Sequence, residues 1–262
     1  MCIRDRVNAA WRSPEDERPP LLIKCHGGPT GATSTAQDLR TQFWTSRGFA
    51  VLDVNYRGST GYGRAYRRSL YERWGVADVE DCVAGARALA EAGRIDGERL
   101  LISGGSAGGY TVLCALTFTD AFRAGGSHYG IGDLESMFET THKFEARYDH
   151  SLLGEGAAER GLFRSRSPLH HADRITCPVI FFQGARDRVV PPEQSQAMVA
   201  ALRAQGLPVA YLEYPDEAHG FRRAESVQES LEAELYFFCR ALGLPPPAGV
   251  RPVPIENAAA LD

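Results

Sequence analysis

Residues 100–109 read LLISGGSAGG, an apolar run that leads directly into a glycine-rich turn containing a serine. Apolar residues at helical spacing follow over 107–116. The segment therefore predicts a buried strand, a sharp turn and a helix, in that order. The turn fits the pattern G-x-S-x-G, in which small flanking residues make room for a strained serine with an exposed hydroxyl. We expect Ser106 to be a nucleophile, and an incidental serine in a glycine-rich turn is the alternative.

Strands and helices alternate on both sides of this segment. Apolar runs predict strands at 21–25, 49–54, 178–182 and 209–214, and 124–129 predicts a weaker strand that Gly125 and Gly126 dilute. Helical spacing of apolar residues predicts helices over 36–47, 76–92, 192–205 and 224–242. Strands that alternate with helices indicate an α/β protein with a mostly parallel central sheet and helices on both faces.

Two further residues follow predicted strands and complete a candidate catalytic set. Asp187 lies just after the strand at 178–182, and His219 lies just after the strand at 209–214. Because the carboxyl ends of parallel strands meet at one edge of a sheet, both should lie near Ser106. A serine hydroxyl is a weak nucleophile without a base, and Ser, Asp, His is the chain order this architecture uses. We expect Ser106 to attack, His219 to shuttle the proton and Asp187 to hold the imidazole.

Other titratable residues receive other roles. The histidines at other positions do not follow a strand after Asp187, and a surface or core position is expected for His128, His142, His150, His170 and His171. Asp216 and Glu217 lie too close in sequence to His219 to reach its far ring nitrogen easily, so we interpret them as loop solvation. The segment 170–173 is the one candidate for metal ligands, but it does not have typical ligand spacing. The predicted reaction requires no metal and no cofactor.

Acyl transfer also needs hydrogen-bond donors for the oxyanion that develops on the attacked carbonyl. The backbone N–H of Ala107, at the start of the predicted helix, should supply one donor. The second is expected from Gly27 or Gly28 in His26-Gly27-Gly28-Pro29, a loop that follows the strand at 21–25. A simple tight turn is the alternative interpretation of this loop.

Composition excludes several classes of partner and site. The chain has a net charge of -4 and a pI near 6.0, which gives no electrostatic basis for binding nucleic acid or an anionic membrane. It contains no run of about 18 apolar residues, so a transmembrane helix is not expected. The six cysteines are scattered without close pairs, which indicates reduced thiols and a cytoplasmic location.

Three regions are expected along the chain. Residues 1–19 form a tail or linker, in which 1–6 (MCIRDR) resemble a translated sequencing adapter and are a candidate gene-model artefact; an ordinary disordered start is the alternative. Residues 20–244 form the α/β domain, and the tail at 245–262, rich in Pro and Ala, is expected to be disordered. Residues 130–172 break the strand–helix alternation and predict a lid or pocket wall.

Several segments resemble motifs of the prolyl oligopeptidase family of serine peptidases. They are 26–29 (HGGP), 55–63 (NYRGSTGYG), 105–110 (GSAGGY), 167–168 (SP), the Asp187 loop through 190–192, and 217–221 (EAHGF). The resemblance covers roughly residues 20–242 and is closest to the acylaminoacyl-peptidase-like branch. It implies the α/β-hydrolase fold and a peptidase that removes blocked or unblocked residues from short peptides through an acyl-enzyme.

The resemblance also implies a domain partner and a substrate pocket. Family members usually carry an N-terminal β-propeller that admits only oligopeptides, so a missing propeller and a truncated gene model are expected here; homo-oligomer formation stays open. The pocket for the residue before the cleaved bond should be built from Tyr129, Leu134 and Phe138, with Tyr110 behind the nucleophile. Aromatic walls favour an apolar side chain, while ordinary core packing is the alternative for each residue.

Two departures from the family pattern narrow the expected activity. Dipeptidyl-peptidase relatives hold the substrate backbone with an Asn at the position of Val189 and bind its amino terminus with a Glu pair from the propeller, so dipeptidyl-peptidase activity is disfavoured. Several relatives place a tyrosine of the oxyanion hole at the position of His26. Two rivals to a peptidase remain: an ester hydrolase of the carboxylesterase or dienelactone-hydrolase type, which would differ only in its pocket, and a non-catalytic binding protein.

Overall fold

A computed structural model describes residues 18–140, 148–157 and 161–261 of the chain, so the N-terminal segment 1–6 lies outside the described residues. Its central sheet has six parallel strands in the order β2-β1-β3-β4-β5-β6. The strands are β1 (Leu21–Cys25), β2 (Ala50–Val54), β3 (Leu100–Gly105), β4 (Ala124–His128), β5 (Val179–Gly184) and β6 (Val209–Tyr214). The predicted parallel α/β architecture is confirmed.

Helices cover both faces of this sheet. They are α1 (Leu39–Thr45), α2 (Gly63–Arg68), α3 (Ala77–Glu91), α4 (Ala107–Phe118), α5 (Leu134–Thr140), α6 (Tyr148–Leu153), α7 (Leu162–Arg166), α8 (Pro192–Ala204) and α9 (Ala224–Ala241), with 3₁₀ helices at Pro168–Arg174 and Ala258–Leu261. Among the described residues, no helix is long and apolar enough to cross a membrane.

Side-chain alternation along the strands divides the interior into two cores. Leu21 and Ile23 of β1 point to the core formed with α3, α4 and α8, whereas Leu22 between them points to the core formed with α1 and α9. Successive strand residues face opposite sides of a sheet, so a strand that is buried on both faces is apolar throughout.

The strand order reverses between β1 and β3, and this places the two key loops side by side. β1 pairs with β2 on one side and with β3 on the other, with Cys25 opposite Gly104. The chain therefore leaves β1 into the 26–29 loop and leaves β3 into Ser106 at adjacent points of the sheet edge. In open α/β sheets such a switch point forms the crevice in which ligands bind.

Several boundaries differ from the predicted ones for local reasons. α1 begins at Leu39 instead of residue 36, because the Asp38 side chain accepts a hydrogen bond from the Arg40 N–H and caps the helix there. α2 was not predicted, since its residues contribute no buried apolar face; the Tyr66 hydroxyl, which donates to Asn55 O at 2.7 Å, ties it to β2.

The C-terminal segment is ordered, so the expectation of a disordered tail does not hold for residues 245–261. Glu256 forms an antiparallel bridge with Val209 at the edge strand β6, and the Asn257 amide donates to the carbonyls of Arg203 and Leu207. Val250, Val253 and Ile255 pack against the core beneath α1 and α9. An edge strand offers unpaired backbone groups, and this segment binds some of them.

Candidate active site

Ser106 lies on a strained turn between β3 and α4. Its backbone has φ 58° and ψ -124°, a conformation that costs an L residue on the order of 1–3 kcal/mol. The glycines around it are sterically required: a Cβ atom at Gly108 would lie 2.2 Å from Cys25 O, and one at Gly104 would lie 2.6 Å from Gly108 O. The turn can therefore form only with glycine at both positions, in agreement with the need for small residues that the sequence pattern predicts.

A chain of hydrogen bonds joins the three residues that were expected to act together. His219 Nε2 lies 2.9 Å from Ser106 Oγ, and His219 Nδ1 lies 2.8 Å from Asp187 Oδ2. The Asp187 side chain is fully buried, and its Oδ1 accepts the backbone N–H groups of Val189 and Val190 at 2.8 and 2.9 Å. These bonds fix the carboxylate, which in turn fixes the imidazole, so His219 can accept the proton of the Ser106 hydroxyl.

The loop that carries His219 is held by Glu217, which corrects its interpretation as loop solvation. Glu217 is 3% exposed, and its two carboxylate oxygens accept the backbone N–H groups of Arg222 and Arg223 at 3.0 and 2.9 Å. Burial alone would raise the pKa of this carboxyl, but these hydrogen bonds outweigh it and lower the pKa. Glu217 therefore stays ionised and braces the chain on both sides of His219, whereas Asp216 pairs with Arg186 at the surface.

Three backbone N–H groups lie close to Ser106. In the described part of the chain, no acceptor is bonded to the N–H of Ala107, Gly27 or Gly28. Ala107 and Gly28 line the same cavity as Ser106, and a Cβ atom at Gly27 would lie 3.5 Å from Ser106 Cβ. The groups expected to form an oxyanion hole are thus adjacent to the nucleophile and available.

The His26 ring is engaged elsewhere. It stacks on Tyr56 with 4.2 Å between ring centroids, and its Nε2 lies 2.7 Å from Ser59 Oγ. Burial lowers the pKa of this imidazole, which favours its neutral form. His26 therefore shapes the loop that presents Gly27 and Gly28, and its ring bonds to Ser59.

A cavity of about 60 Å³ opens beside Ser106. Its apolar wall is formed by Trp74, Ile131, Met137, Phe138, Leu152 and Val190, and Val189 lies at its rim. Of the four residues predicted to bind substrate, Phe138 lines this cavity. The remaining lining residues were not predicted, because they come from short segments far apart in sequence. No local pattern marks Trp74 or Leu152 as neighbours of Ser106.

The other three pocket candidates lie elsewhere. Tyr110 is fully buried beneath Trp74, and its hydroxyl donates to Arg166 O at 2.9 Å. Leu134 is fully buried, and its N–H donates to Ser167 Oγ, so it anchors α5 in the core. Tyr129 packs with its ring centroid 5.0 Å from that of His219 and supports the base. Tyr110 and Leu134 therefore pack in the core and do not line the cavity beside Ser106.

The segment 170–173 does not supply a metal site of its own. Instead, His170 Nε2 lies 3.3 Å from Asp133 Oδ1 and 3.9 Å from Glu135 Oε2, so His170 pairs with carboxylates at the start of α5. The ligand atoms of these three side chains lie within 4.8 Å of one another. Asp133 also accepts the Ser167 hydroxyl and the Glu135 N–H, which accounts for its position as a cap of α5.

Comparison with known proteins decides the family. The model of the prolyl oligopeptidase family matches residues 35–245. The chain belongs to the prolyl oligopeptidase family. This result confirms the resemblance and the α/β-hydrolase fold that were inferred from the sequence motifs.

Relatives within the family carry several activities in their names. Dipeptidyl aminopeptidase BIII of Pseudoxanthomonas mexicana is 34% identical over 86% of this chain and 33% of its own length. The acylamino-acid-releasing enzyme of Sus scrofa is 30% identical over 88% of this chain and 32% of its own length. A puromycin-hydrolyzing peptidase of Mycobacterium tuberculosis superposes with a TM-score of 0.90 at 51% identity, over 93% of this chain and 37% of that one. The chain thus spans about a third of the length of these family members.

Proposed function

We propose that the chain is the catalytic unit of a serine peptidase. The observation that carries this proposal is the hydrogen-bonded series Ser106, His219, Asp187 on a strained turn. Ser106 attacks the carbonyl of the scissile bond while His219 takes its proton, and the imidazolium then protonates the departing amine. Water, activated by the same imidazole, hydrolyses the acyl-enzyme and frees Ser106. The N–H groups of Ala107 and of Gly27 or Gly28 bind the oxyanion in both steps.

The residue before the cleaved bond is proposed to be apolar. The cavity beside Ser106 has an apolar wall, and no charged side chain of the described residues lines it. A charged substrate side chain would lose its hydration there without gaining a partner, which costs several kcal/mol or more. An apolar side chain instead gains about 25 cal/mol for each Å² removed from water.

Short peptides and related amides are the proposed substrates, with acylaminoacyl-peptidase or aminopeptidase action. Relatives named for releasing acylamino acids and for hydrolysing puromycin support this class. Dipeptidyl-peptidase action is the less favoured choice, because Val189 at the cavity rim offers no side-chain amide to a substrate backbone. A β-propeller partner that restricts entry is part of the proposal.

A cytoplasmic location is proposed as well. The described cysteines (Cys25, Cys82, Cys114, Cys177 and Cys239) all carry free thiols. Cys25 and Cys82 lie with their sulfur atoms 3.6 Å apart and are not bonded. Free thiols, even in a neighbouring pair, are typical of a reducing compartment.

The direct test compares anilides of alanine, leucine, phenylalanine, aspartate and lysine in acetylated and free-amine forms, beside a dipeptidyl anilide and a short-chain nitrophenyl ester. We expect apolar anilides to be cleaved and Ser106→Ala to abolish cleavage. Cleavage of the ester without any anilide would favour the esterase alternative. Equal activity of the Ser106→Ala variant would refute the assigned nucleophile.

A further inference from the structure

A buried carboxylate lies under the turn that carries Ser106. Glu234 of α9 has a side chain that is 4% exposed. Its Oε1 accepts the Ser103 hydroxyl at 2.6 Å and lies 3.1 Å from His128 Nε2. Ser103 belongs to β3 and His128 to β4, so one side chain bridges two neighbouring strands near their carboxyl ends.

The sheet leaves space for this side chain at a glycine. A Cβ atom at Gly126 of β4 would lie 2.2 Å from Glu234 Oε1, so any larger residue there would displace the carboxylate. Leu101 and Phe182 belong to the apolar core on the same face of the sheet, and Glu234 also borders a cavity of about 350 Å³ whose lining includes Arg40 and Ser230. Replacing a buried, hydrogen-bonded charged group by an apolar residue of similar volume is often neutral or stabilising. Packing alone therefore does not account for Glu234.

Both strands that Glu234 joins are connected to Ser106: β3 leads into it, and the end of β4 bonds to its backbone. The N–H of Ser106 donates to His128 O at 3.0 Å, and Ser106 follows Ser103 by three residues. Tyr129, next to His128, has φ 41° and packs its ring against both Gly105 and His219. A shift of His128 would therefore move the backbone of the nucleophile and the ring that supports the base.

We propose that Glu234 is a positioning residue for Ser106. It fixes His128 and Ser103, and through them it fixes the angle at which the serine hydroxyl meets His219. This inference rests on the proposed function, because it assigns Ser106 as the nucleophile. Displacements of about 1 Å at a reacting group can cost on the order of 100-fold in rate, so small movements at β3 and β4 are sufficient for a large effect.

Fluorophosphonate labelling of Ser106 tests this proposal without a peptide substrate. Glu234→Leu keeps a similar volume and removes both hydrogen bonds, and we expect the second-order labelling rate to fall at least about tenfold. Glu234→Gln retains an oxygen that can accept from Ser103 and His128, and its NH₂ group replaces Oε2, for which no hydrogen-bond partner is seen among the described residues, so labelling should stay within threefold of the wild-type rate. With a cleaved anilide, Glu234→Leu should lower kcat and leave KM unchanged.

Leu235→Ala is the matched control, because Leu235 is a fully buried neighbour on α9 that makes no part of this network. It should lower the melting temperature yet label within threefold of wild type. Should Glu234→Leu fail to fold, Ser103→Ala removes the shorter hydrogen bond and should slow labelling at least threefold. If the wild-type protein is labelled and folded Glu234→Leu is labelled at the same rate, this inference alone is overturned. It is also overturned if Leu235→Ala slows labelling as much as Glu234→Leu does. A folded wild-type protein that is not labelled overturns the proposed function and this inference together.

Discussion

Replacing Asp187 by asparagine tests whether the buried carboxylate sets the state of His219. Asp187 Oδ1 accepts two backbone N–H groups, at 2.8 and 2.9 Å, whereas Oδ2 faces His219 Nδ1 at 2.8 Å. An asparagine must place its oxygen where Oδ1 lies in the wild type, because an NH₂ group at that point would face the two backbone N–H donors. Its NH₂ group therefore points at Nδ1 and selects the tautomer with the proton on Nε2. That tautomer cannot accept the Ser106 proton.

The expected loss follows from this geometry. The same change in the Ser-His-Asp template lowers kcat about 10⁴-fold, which corresponds to about 5.5 kcal/mol of transition-state stabilisation. We expect a similar loss here, measured as kcat for a cleaved anilide, with the melting temperature close to wild type. Asp216→Asn is the matched control, because Asp216 forms a surface pair with Arg186 and should leave kcat unchanged. A loss of less than tenfold in folded Asp187→Asn would refute the role given to Asp187.

Three further predictions concern the turn, the pocket and the interior. Gly108→Ala should abolish folded protein in a soluble-expression assay, since its Cβ would lie 2.2 Å from Cys25 O; normal yield and activity would contradict the steric argument. Phe138→Asp should lower kcat/KM for apolar anilides at least about tenfold, while Phe118→Asp, at a partly exposed site outside the cavity, should not. Burial raises the pKa of the Asp78 carboxyl from 3.8 to about 6, so the folded state binds a proton that the unfolded state does not between pH 6 and 4. We therefore expect the difference in unfolding free energy between wild type and Asp78→Asn to change in favour of wild type by up to about 3 kcal/mol as pH falls from 7 to 4. Denaturant titrations at several pH values measure this difference, and a difference that does not change with pH would contradict the prediction.

The sheet and the hydrogen-bonded residues could be predicted because their signals are local. Most of the strands are short apolar runs, and Ser106, Asp187 and His219 each lie within five residues after the end of one. Parallel strands bring such positions to one edge regardless of how the helices pack. The order of the residues along the chain was therefore sufficient to expect the contacts at 2.9 and 2.8 Å.

The pocket and the tail depend on contacts that no local pattern contains. Trp74 precedes α3 and Leu152 lies in the last turn of α6, yet both reach the cavity beside Ser106. The tail was judged by its Pro and Ala content, although Val253 and Ile255 find an apolar surface beside β6. Amino-acid composition indicates whether a segment can fold by itself, but it does not indicate whether the segment packs against a surface of the folded domain.

The roles of Glu217 and Glu234 could not be predicted from their local sequence either. For Glu234, however, a glycine in a neighbouring strand offers a sequence signal. Glu217 was weighed only as a rival acid for His219, but its partners are N–H groups five and six residues later. Glu234 lies in an amphipathic helix, where a lone glutamate normally indicates the solvated face. Gly126 weakens a buried strand, but the space that its missing side chain leaves is occupied by the Glu234 carboxyl group of the neighbouring helix. An unexplained glycine in a core strand is therefore a reason to look for a buried polar group on the facing helix.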